Sequence, residues 1–127
     1  MKNITRDMLE IYEPYSGLDW LNYKLVRKDM TFHHIIKKEH GGKEIIENGL
    51  LLMPVAHQYL HLIECFDYPT YGELTEIFKI INKQRKEPTQ EEREAVEYLL
   101  QKFEYDNRWK KSSKGKLLIK REYLKRF

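Results

Sequence analysis

The sequence predicts an α+β fold, in which a small antiparallel hairpin is flanked by an N-terminal helix and by C-terminal helices. Two short segments, residues 31–36 and 50–53, are rich in β-branched, aromatic and aliphatic side chains, which is typical of strands. The loop between them contains Gly41-Gly42 and ends in Asn48-Gly49, and both pairs favour turns. Apolar residues recur at helical spacing before and after this unit.

The helices are predicted from this spacing and from residues that begin or end a helix. The first covers residues 3–13 and stops before Pro14. The second begins at Pro54, because proline is favoured in the first turn. Two later helices begin with T-x-x-E capping boxes at Thr70 and Thr89, and we expect them to form an antiparallel pair.

The composition is that of one globular domain. The chain has 127 residues, of which 41% are apolar and 13% aromatic, so it can bury an adequate core. Within this single domain, 1–127, we expect a central unit at about 27–65, a helical extension over 70–107 and a basic segment over 108–127. Trp20, Leu21 and Tyr23 are predicted to pack in the core.

Disulfides and membrane spans are not expected. The chain has one cysteine, Cys65, which excludes an internal disulfide framework. No apolar run approaches the roughly 20 residues of a membrane span, and the first residues lack the apolar region of a signal peptide. The expectation is a cytoplasmic protein without a membrane partner.

Charge is distributed unevenly along the chain. The net charge is +3, but residues 108–127 contain nine Lys or Arg and one acidic residue, giving +8. The remaining 14 basic and 19 acidic residues give −5. A basic end on an acidic domain indicates either a polyanionic partner or a solvated terminal segment.

All five histidines lie between residues 33 and 61, and their order resembles the HNH endonuclease family, whose members are ββα-metal nucleases. The resemblance rests on His33-His34 in the first strand, Asn48 before the second strand, and His57 on the following helix, with His61 one turn later. It covers residues 27–65. The paired Cys-x-x-Cys knuckles of many relatives are absent, and His33 replaces an aspartate common in the family, as in the bacteriocin-type nucleases.

The resemblance implies a site that holds one divalent metal ion, which could be Mg, Mn, Ni or Zn. His57 and His61 are four residues apart on one helical face, and His33 would add a third imidazole ligand. Three protein ligands leave positions open for substrate, as in catalytic sites. His34 would be the general base, and Asn48 would hold the base or the loop in place. Because adjacent strand residues point to opposite faces, His33 and His34 can share a site only at the end or edge of the strand.

The predicted nucleic-acid contacts are basic residues near the histidines and in the C-terminal segment. Arg27 is included because bacteriocin-type nucleases have a phosphate-binding arginine in that neighbourhood. The loop lysines are candidates because they would lie near the scissile phosphate, although solvated lysines are the simpler interpretation. The candidates are Arg27, Lys37, Lys38, Lys43, Lys110, Lys111, Lys114 and Lys116.

Three functions follow from this pattern. The first is a metal-dependent HNH endonuclease that hydrolyses phosphodiester bonds of DNA and leaves 5′-phosphate and 3′-hydroxyl ends, as the resemblance implies. The alternative is a non-catalytic nucleic-acid-binding module with a structural zinc site. A third is an interaction protein that keeps the fold without activity. The complete set of His33, His34, Asn48, His57 and His61 favours the nuclease.

Overall fold

The computed structural model describes residues 1–110, which form four α-helices and one two-stranded antiparallel sheet. The predicted α+β class and the antiparallel pairing of the two strands are confirmed. Helices come before and after the strands in the chain, as predicted. Most of the predicted basic segment, residues 111–127, lies outside the described residues. The elements in chain order are α1 (Asn3–Tyr12), β1 (Thr31–His34), β2 (Gly49–Leu52), α2 (Pro54–Phe66), α3 (Tyr68–Gln84) and α4 (Gln90–Asp106).

The two strands are paired from Thr31 opposite Leu52 to His34 opposite Gly49. The first strand was predicted to run to residue 36, but it ends at His34. The reason is that the next two backbone N–H groups, of Ile35 and Ile36, donate to the backbone oxygen and the side-chain oxygen of Asn48, both at 2.8 Å. Hydrogen bonds to Asn48 therefore replace the regular pairing of the two strands from Ile35 onward.

The second strand begins and ends one residue earlier than predicted, at Gly49 and Leu52. Met53 leaves the ladder because its backbone N–H donates to the Asp19 carboxylate at 2.9 Å. Gly49 belongs to the strand because it packs between Met8 of α1 and the Phe32 ring. A Cβ at this position would overlap the Met8 sulfur, so any larger residue would have to displace the Met8 side chain.

The core lies around β2, whose four residues are all buried. A strand that is buried on both faces is uniformly apolar rather than alternating, and Leu50, Leu51 and Leu52 fit that pattern. Helices α1, α2 and α3 all contact β2, and α4 packs on α3. The predicted core residues Trp20, Leu21 and Tyr23 are buried, which confirms that prediction.

The starts of the helices follow from their capping groups. Helix α2 begins at Pro54 and α4 begins after a Thr89–Glu92 capping box, as predicted. The predicted capping box at Thr70 is wrong, because the N-cap of α3 is Asp67, three residues earlier. Asp67 caps α3 by accepting hydrogen bonds from the backbone N–H and the hydroxyl of Thr70, at 3.2 and 2.6 Å. As a result only Asp67 separates α2 from α3. Among residues 1–110, none of the helices combines the length and apolar character that a membrane span needs.

Candidate functional site

Four of the five histidines line one cleft. His33 and His34 come from the end of β1, and His57 and His61 come from successive turns of α2. The cleft has a volume of about 320 Å³ and also contains apolar side chains of β2, α2 and α3. The sequence prediction that these histidines lie together is therefore matched by their location in the fold. The other side chains that line the cleft are Phe32, Ile35, Lys37, Lys38, Leu50, Leu60, Glu64, Tyr71, Thr75 and Phe78.

The imidazoles of His33 and His57 are in direct contact. Their ring centroids are 3.8 Å apart and their planes differ by 14°, so the rings are stacked. Burial, followed by the proximity of His57 and His34, lowers the pKa of His33 to about 4. Burial of the ring, then His61 and Lys37, lowers the pKa of His57. His57 is exposed as a residue, but His33 covers one face of its ring. Both imidazoles are therefore neutral at pH 7.

The hydrogen bonds of Thr31 determine which His33 nitrogen carries the proton. The Thr31 hydroxyl donates its single hydrogen to the Leu52 carbonyl at 2.9 Å. It must therefore accept at its contact of 2.7 Å with His33 Nε2. We assign the neutral His33 ring as the Nε2–H tautomer, which leaves the lone pair on Nδ1. Thr31 is a positioning residue that the sequence analysis did not single out.

His34 lies on the other face of β1 from His33 but at the same cleft. Its ring meets the Phe32 ring edge-on, with centroids 5.3 Å apart, as expected for residues two apart on a strand. Because β1 ends at His34, the cleft extends around the end of the strand and includes both histidines. His33 and His34 can therefore share the cleft although their side chains lie on opposite faces of the strand.

His61 is exposed and has two neighbours on its own helix. Its Nδ1 lies 3.4 Å from Glu64 Oε1, and its Nε2 lies 3.9 Å from Cys65 Sγ. The other Glu64 oxygen forms a close ion pair with Lys37 from the loop. Lys37, a predicted phosphate contact, thus already has an acidic partner, and this hydrogen bond raises its pKa. Glu64 was not identified from the sequence, although it follows His57 and His61 on the same helical face.

Asn48 holds the loop between the strands. Its side-chain Nδ2 donates to the carbonyl oxygens of Ile36 and Lys43, both at 3.0 Å, while its Oδ1 accepts from Ile36 N–H. Of the two predicted roles, holding the base or holding the loop, these contacts fit the loop. Gly42 passes so close to the Ile36 carbonyl that a Cβ would overlap it, and Gly41 adopts a left-handed conformation with φ +85°.

Asn82, on α3, holds the same loop from outside and was missed by the sequence analysis. Its Nδ2 donates to the carbonyl oxygens of Ile46 and Gly49, at 2.7 and 2.8 Å. These two residues lie on either side of Asn48 in the chain. Asn82 is 2% exposed, so these bonds replace water that cannot reach the loop backbone.

A buried polar network fixes the start of α2. Asp19 is fully buried and accepts from the backbone N–H groups of Leu21, Tyr23 and Met53, at 2.8–2.9 Å. Burial raises its pKa to about 7, while these three hydrogen bonds oppose the rise. Because Met53 immediately precedes α2, Asp19 anchors the helix that carries His57 and His61. No local pattern in the sequence marks Asp19 for this role.

Arg93 completes this network from α4. Its guanidinium donates to the Asp19 carbonyl oxygen at 2.9 Å and to Asn22 Oδ1 at 3.1 Å. It also donates to Ser16 Oγ at 2.9 Å and approaches Glu87 Oε2 at 3.3 Å. Arg93 is 3% exposed, so the guanidinium replaces its water shell with protein acceptors.

The remaining predicted contacts are distributed around the molecule. Lys38 lines the histidine cleft. Lys43 is exposed in the loop, and Arg27 is exposed in the short turn before β1, outside the residues that line the cleft. Lys110 lies 5.2 Å from the Phe66 ring at the end of α2. The predicted residues Lys111, Lys114 and Lys116 lie outside the described part of the chain.

Comparisons with protein-family models, with curated proteins and with solved structures found no match. Among residues 1–110, no three or more His, Cys, Asp or Glu side chains are placed so that they could hold a metal ion together. The stacked rings explain why His33 and His57 do not contribute to such a group. The lone pairs of an imidazole lie in the ring plane, so those of two parallel rings do not point at one atom.

Proposed function

We propose that the protein is a metal-dependent HNH endonuclease that hydrolyses phosphodiester bonds of DNA. The observation that carries this proposal is the convergence of His33 and His34 from the end of a strand with His57 and His61 from a helix in one cleft. The family resemblance implies a strand, a loop that contains Asn48, a second strand and a helix. The elements follow in this order along the chain.

The donor set supports a transition-metal ion. His33, His57 and His61 would hold it, because neutral imidazole is a good ligand for such ions and the lowered pKa values keep His33 and His57 neutral. Metal binding requires the stacked rings of His33 and His57 to separate. When bound, a divalent ion would neutralise charge on the phosphate and on the leaving 3′ oxygen.

The protein's own residues would supply the proton transfer and the orientation. His34 would accept a proton from the attacking water, since its imidazole lines the cleft in which the substrate phosphate would bind. Thr31 keeps the His33 proton on Nε2. Asn48 and Asn82 fix the loop that forms one wall, and Lys38 is the basic side chain placed to contact phosphate.

The cleft geometry favours the nuclease over the structural-zinc module. Structural zinc is held by four protein ligands in a closed site. The histidine cleft instead has a volume of about 320 Å³, which is room for a substrate phosphate. Cys65, the one cysteine of the chain, lies beside His61 rather than among the other imidazoles.

The test is plasmid cleavage with Mg, Mn, Ni and Zn, with and without a chelator. We expect nicking that requires metal and is lost in His57→Ala. Gln58→Ala is the matched control, because Gln58 is the next residue of α2, exposed and outside the cleft. Metal-independent nicking, or equal loss of activity in both variants, would contradict the proposal.

A further inference from the structure

A second groove continues from the histidine cleft towards the start of α3. Its volume is about 200 Å³, and it shares five lining residues with the cleft: Ile35, Lys37, Glu64, Tyr71 and Thr75. This is smaller than the roughly 300–1,000 Å³ of pockets for drug-sized ligands, so the groove suits one small ring system. At its edge Tyr68 is 65% exposed, and its ring centroid lies 5.8 Å from that of Tyr71.

Gly72, which lines this groove, is not explained by packing or by backbone conformation. It is the fifth residue of α3, where glycine costs a helix stability relative to alanine. A Cβ at Gly72 would meet nothing within 4 Å, and its φ is not positive. The lack of a side chain at Gly72 leaves open space in the groove beside Tyr68 and Tyr71.

The chemistry of the groove selects a flat neutral group rather than a phosphate. Glu64 and Glu76 line it and would repel an anion, and Lys37 is already paired with Glu64. Exposed tyrosine rings bind nucleobases by stacking, because every base has an aromatic face. A base within a duplex is stacked between its neighbours and cannot enter such a groove unless it is unpaired or flipped out.

We propose that this groove binds an unpaired nucleobase next to the scissile phosphate, so that the preferred substrate is DNA with unpaired nucleotides. The inference rests on the proposed nuclease function, because the groove opens into the histidine cleft. The exposed ring of Tyr68 provides the stacking surface, half-buried Tyr71 lines the groove beside it, and Gly72 leaves open space next to both.

The first test measures binding without catalysis. A labelled single-stranded oligonucleotide and its duplex are titrated in chelator, with fluorescence anisotropy as the readout. Gly72→Leu, which fills the groove, and Tyr68→Ser, which removes a ring, should each weaken single-strand binding by about 5- to 150-fold. Duplex affinity should not change.

Two matched controls distinguish a change in the groove from the effect of any substitution at Gly72 or of losing any exposed tyrosine. Gly72→Ala adds only a Cβ in open space and should bind as wild type. Tyr98→Ser removes a tyrosine from α4 that is 66% exposed, nearly the same as Tyr68, but lies outside the groove. Far-UV circular dichroism checks that each variant is folded. If Gly72→Leu does not fold, Tyr68→Ser still tests the proposal.

The outcomes separate this inference from the proposed nuclease function. Equal single-strand affinity in all four variants would overturn the nucleobase groove, even if the wild type cleaves plasmid DNA. Selective loss in Gly72→Leu and Tyr68→Ser supports the groove, even if no metal gives cleavage. In a cleaving protein, an equal rate on single strands in Gly72→Leu and Gly72→Ala would also overturn it.

Discussion

The histidine cleft and the Asp19–Arg93 network satisfy their polar groups in opposite ways. In the network, Asp19 and Arg93 are almost fully buried and are hydrogen-bonded to backbone and side-chain groups. In the cleft, His57 and His61 are exposed, and His33 has one nitrogen bonded to Thr31 while its Nδ1 keeps a lone pair. The network contributes rigidity, whereas the cleft keeps ligand atoms available.

The two regions are also connected through the ends of secondary structure. Asp19 binds Met53 N–H at the start of α2, and Asn82 binds the carbonyl of Gly49 at the start of β2. Buried polar groups therefore fix the backbone on which the histidines stand. We expect substitutions in the network to change stability strongly and substitutions in the cleft to change chemistry.

The largest stability effect is expected at Arg93. Arg93→Ala removes one of the two donors to the Asp19 carbonyl and the guanidinium donor to Asn22 Oδ1, and it leaves the Glu87 carboxylate without its buried partner. It should lower the free energy of unfolding by about 3–5 kcal/mol. Lys102→Ala is the matched control, since Lys102 is exposed on the same helix and its ion pair with Asp106 spans 3.7 Å. That change should cost less than about 1 kcal/mol. Urea denaturation measures both, and equal losses would contradict the contrast.

The next effect concerns the two asparagines that hold the loop. Asn48→Ala removes the donor to the partly buried Ile36 and Lys43 carbonyls, and Asn82→Ala removes the donor to the Ile46 and Gly49 carbonyls, of which the Gly49 bond is buried. The cost for a buried group left unpaired is about 1–3 kcal/mol. Because both side chains hold the same loop, their effects should not add. A double-mutant cycle should give a coupling energy of about 0.5–3 kcal/mol. Additivity within about 0.3 kcal/mol would show that the two asparagines act independently.

The smallest expected effect is a difference between the two regions in how their contributions to folding stability change with pH. The pKa of His33 is lowered to about 4, so between pH 4 and 6.5 the unfolded state binds more protons and stability rises with pH. The pKa of Asp19 is raised to about 7, so between about pH 4 and pH 7 the folded state binds more protons and stability falls as pH rises. Each group contributes at most about 1.4 kcal/mol per pH unit.

Metal-free unfolding between pH 4.5 and 6.5 separates these opposing contributions. Relative to wild type, His33→Phe should become less stable as pH rises, because the stabilising contribution of His33 is removed. Asp19→Asn should become more stable with rising pH relative to wild type, because the opposing contribution of Asp19 is removed. If the stabilities of the two variants, relative to wild type, changed with pH in the same direction, the opposite pH dependences assigned to His33 and Asp19 would be refuted.

The parts of the fold that depend on neighbouring residues could be predicted from the sequence. The alternation of apolar segments and turns located β1, β2 and α2, and Thr89–Glu92 located the start of α4. The start of α3 was wrong because two signals overlap there. Thr70 resembles an N-cap, but Asp67 followed by Pro69 begins the helix earlier, and Asp67 then binds Thr70.

The parts that depend on distant residues could not be predicted. Arg93 and Asp19 are 74 residues apart, and Asn82 reaches Gly49 across 33 residues, so no local pattern records either contact. The stacking of His33 on His57 was also not predicted, since it depends on the approach of α2 to β1 and on burial of both rings. The sequence indicated which histidines share the cleft, whereas the long-range contacts that position them are visible only in the structure.

The most direct test of the nuclease proposal is the rate of plasmid nicking by His34→Ala under saturating metal. The proposed role of His34 as general base predicts a rate about a hundredfold to ten-thousandfold below wild type. Metal content and melting temperature should stay at their wild-type values, and Gln58→Ala should nick at the wild-type rate. Nicking by His34→Ala at the wild-type rate would contradict the assignment of His34 as the general base.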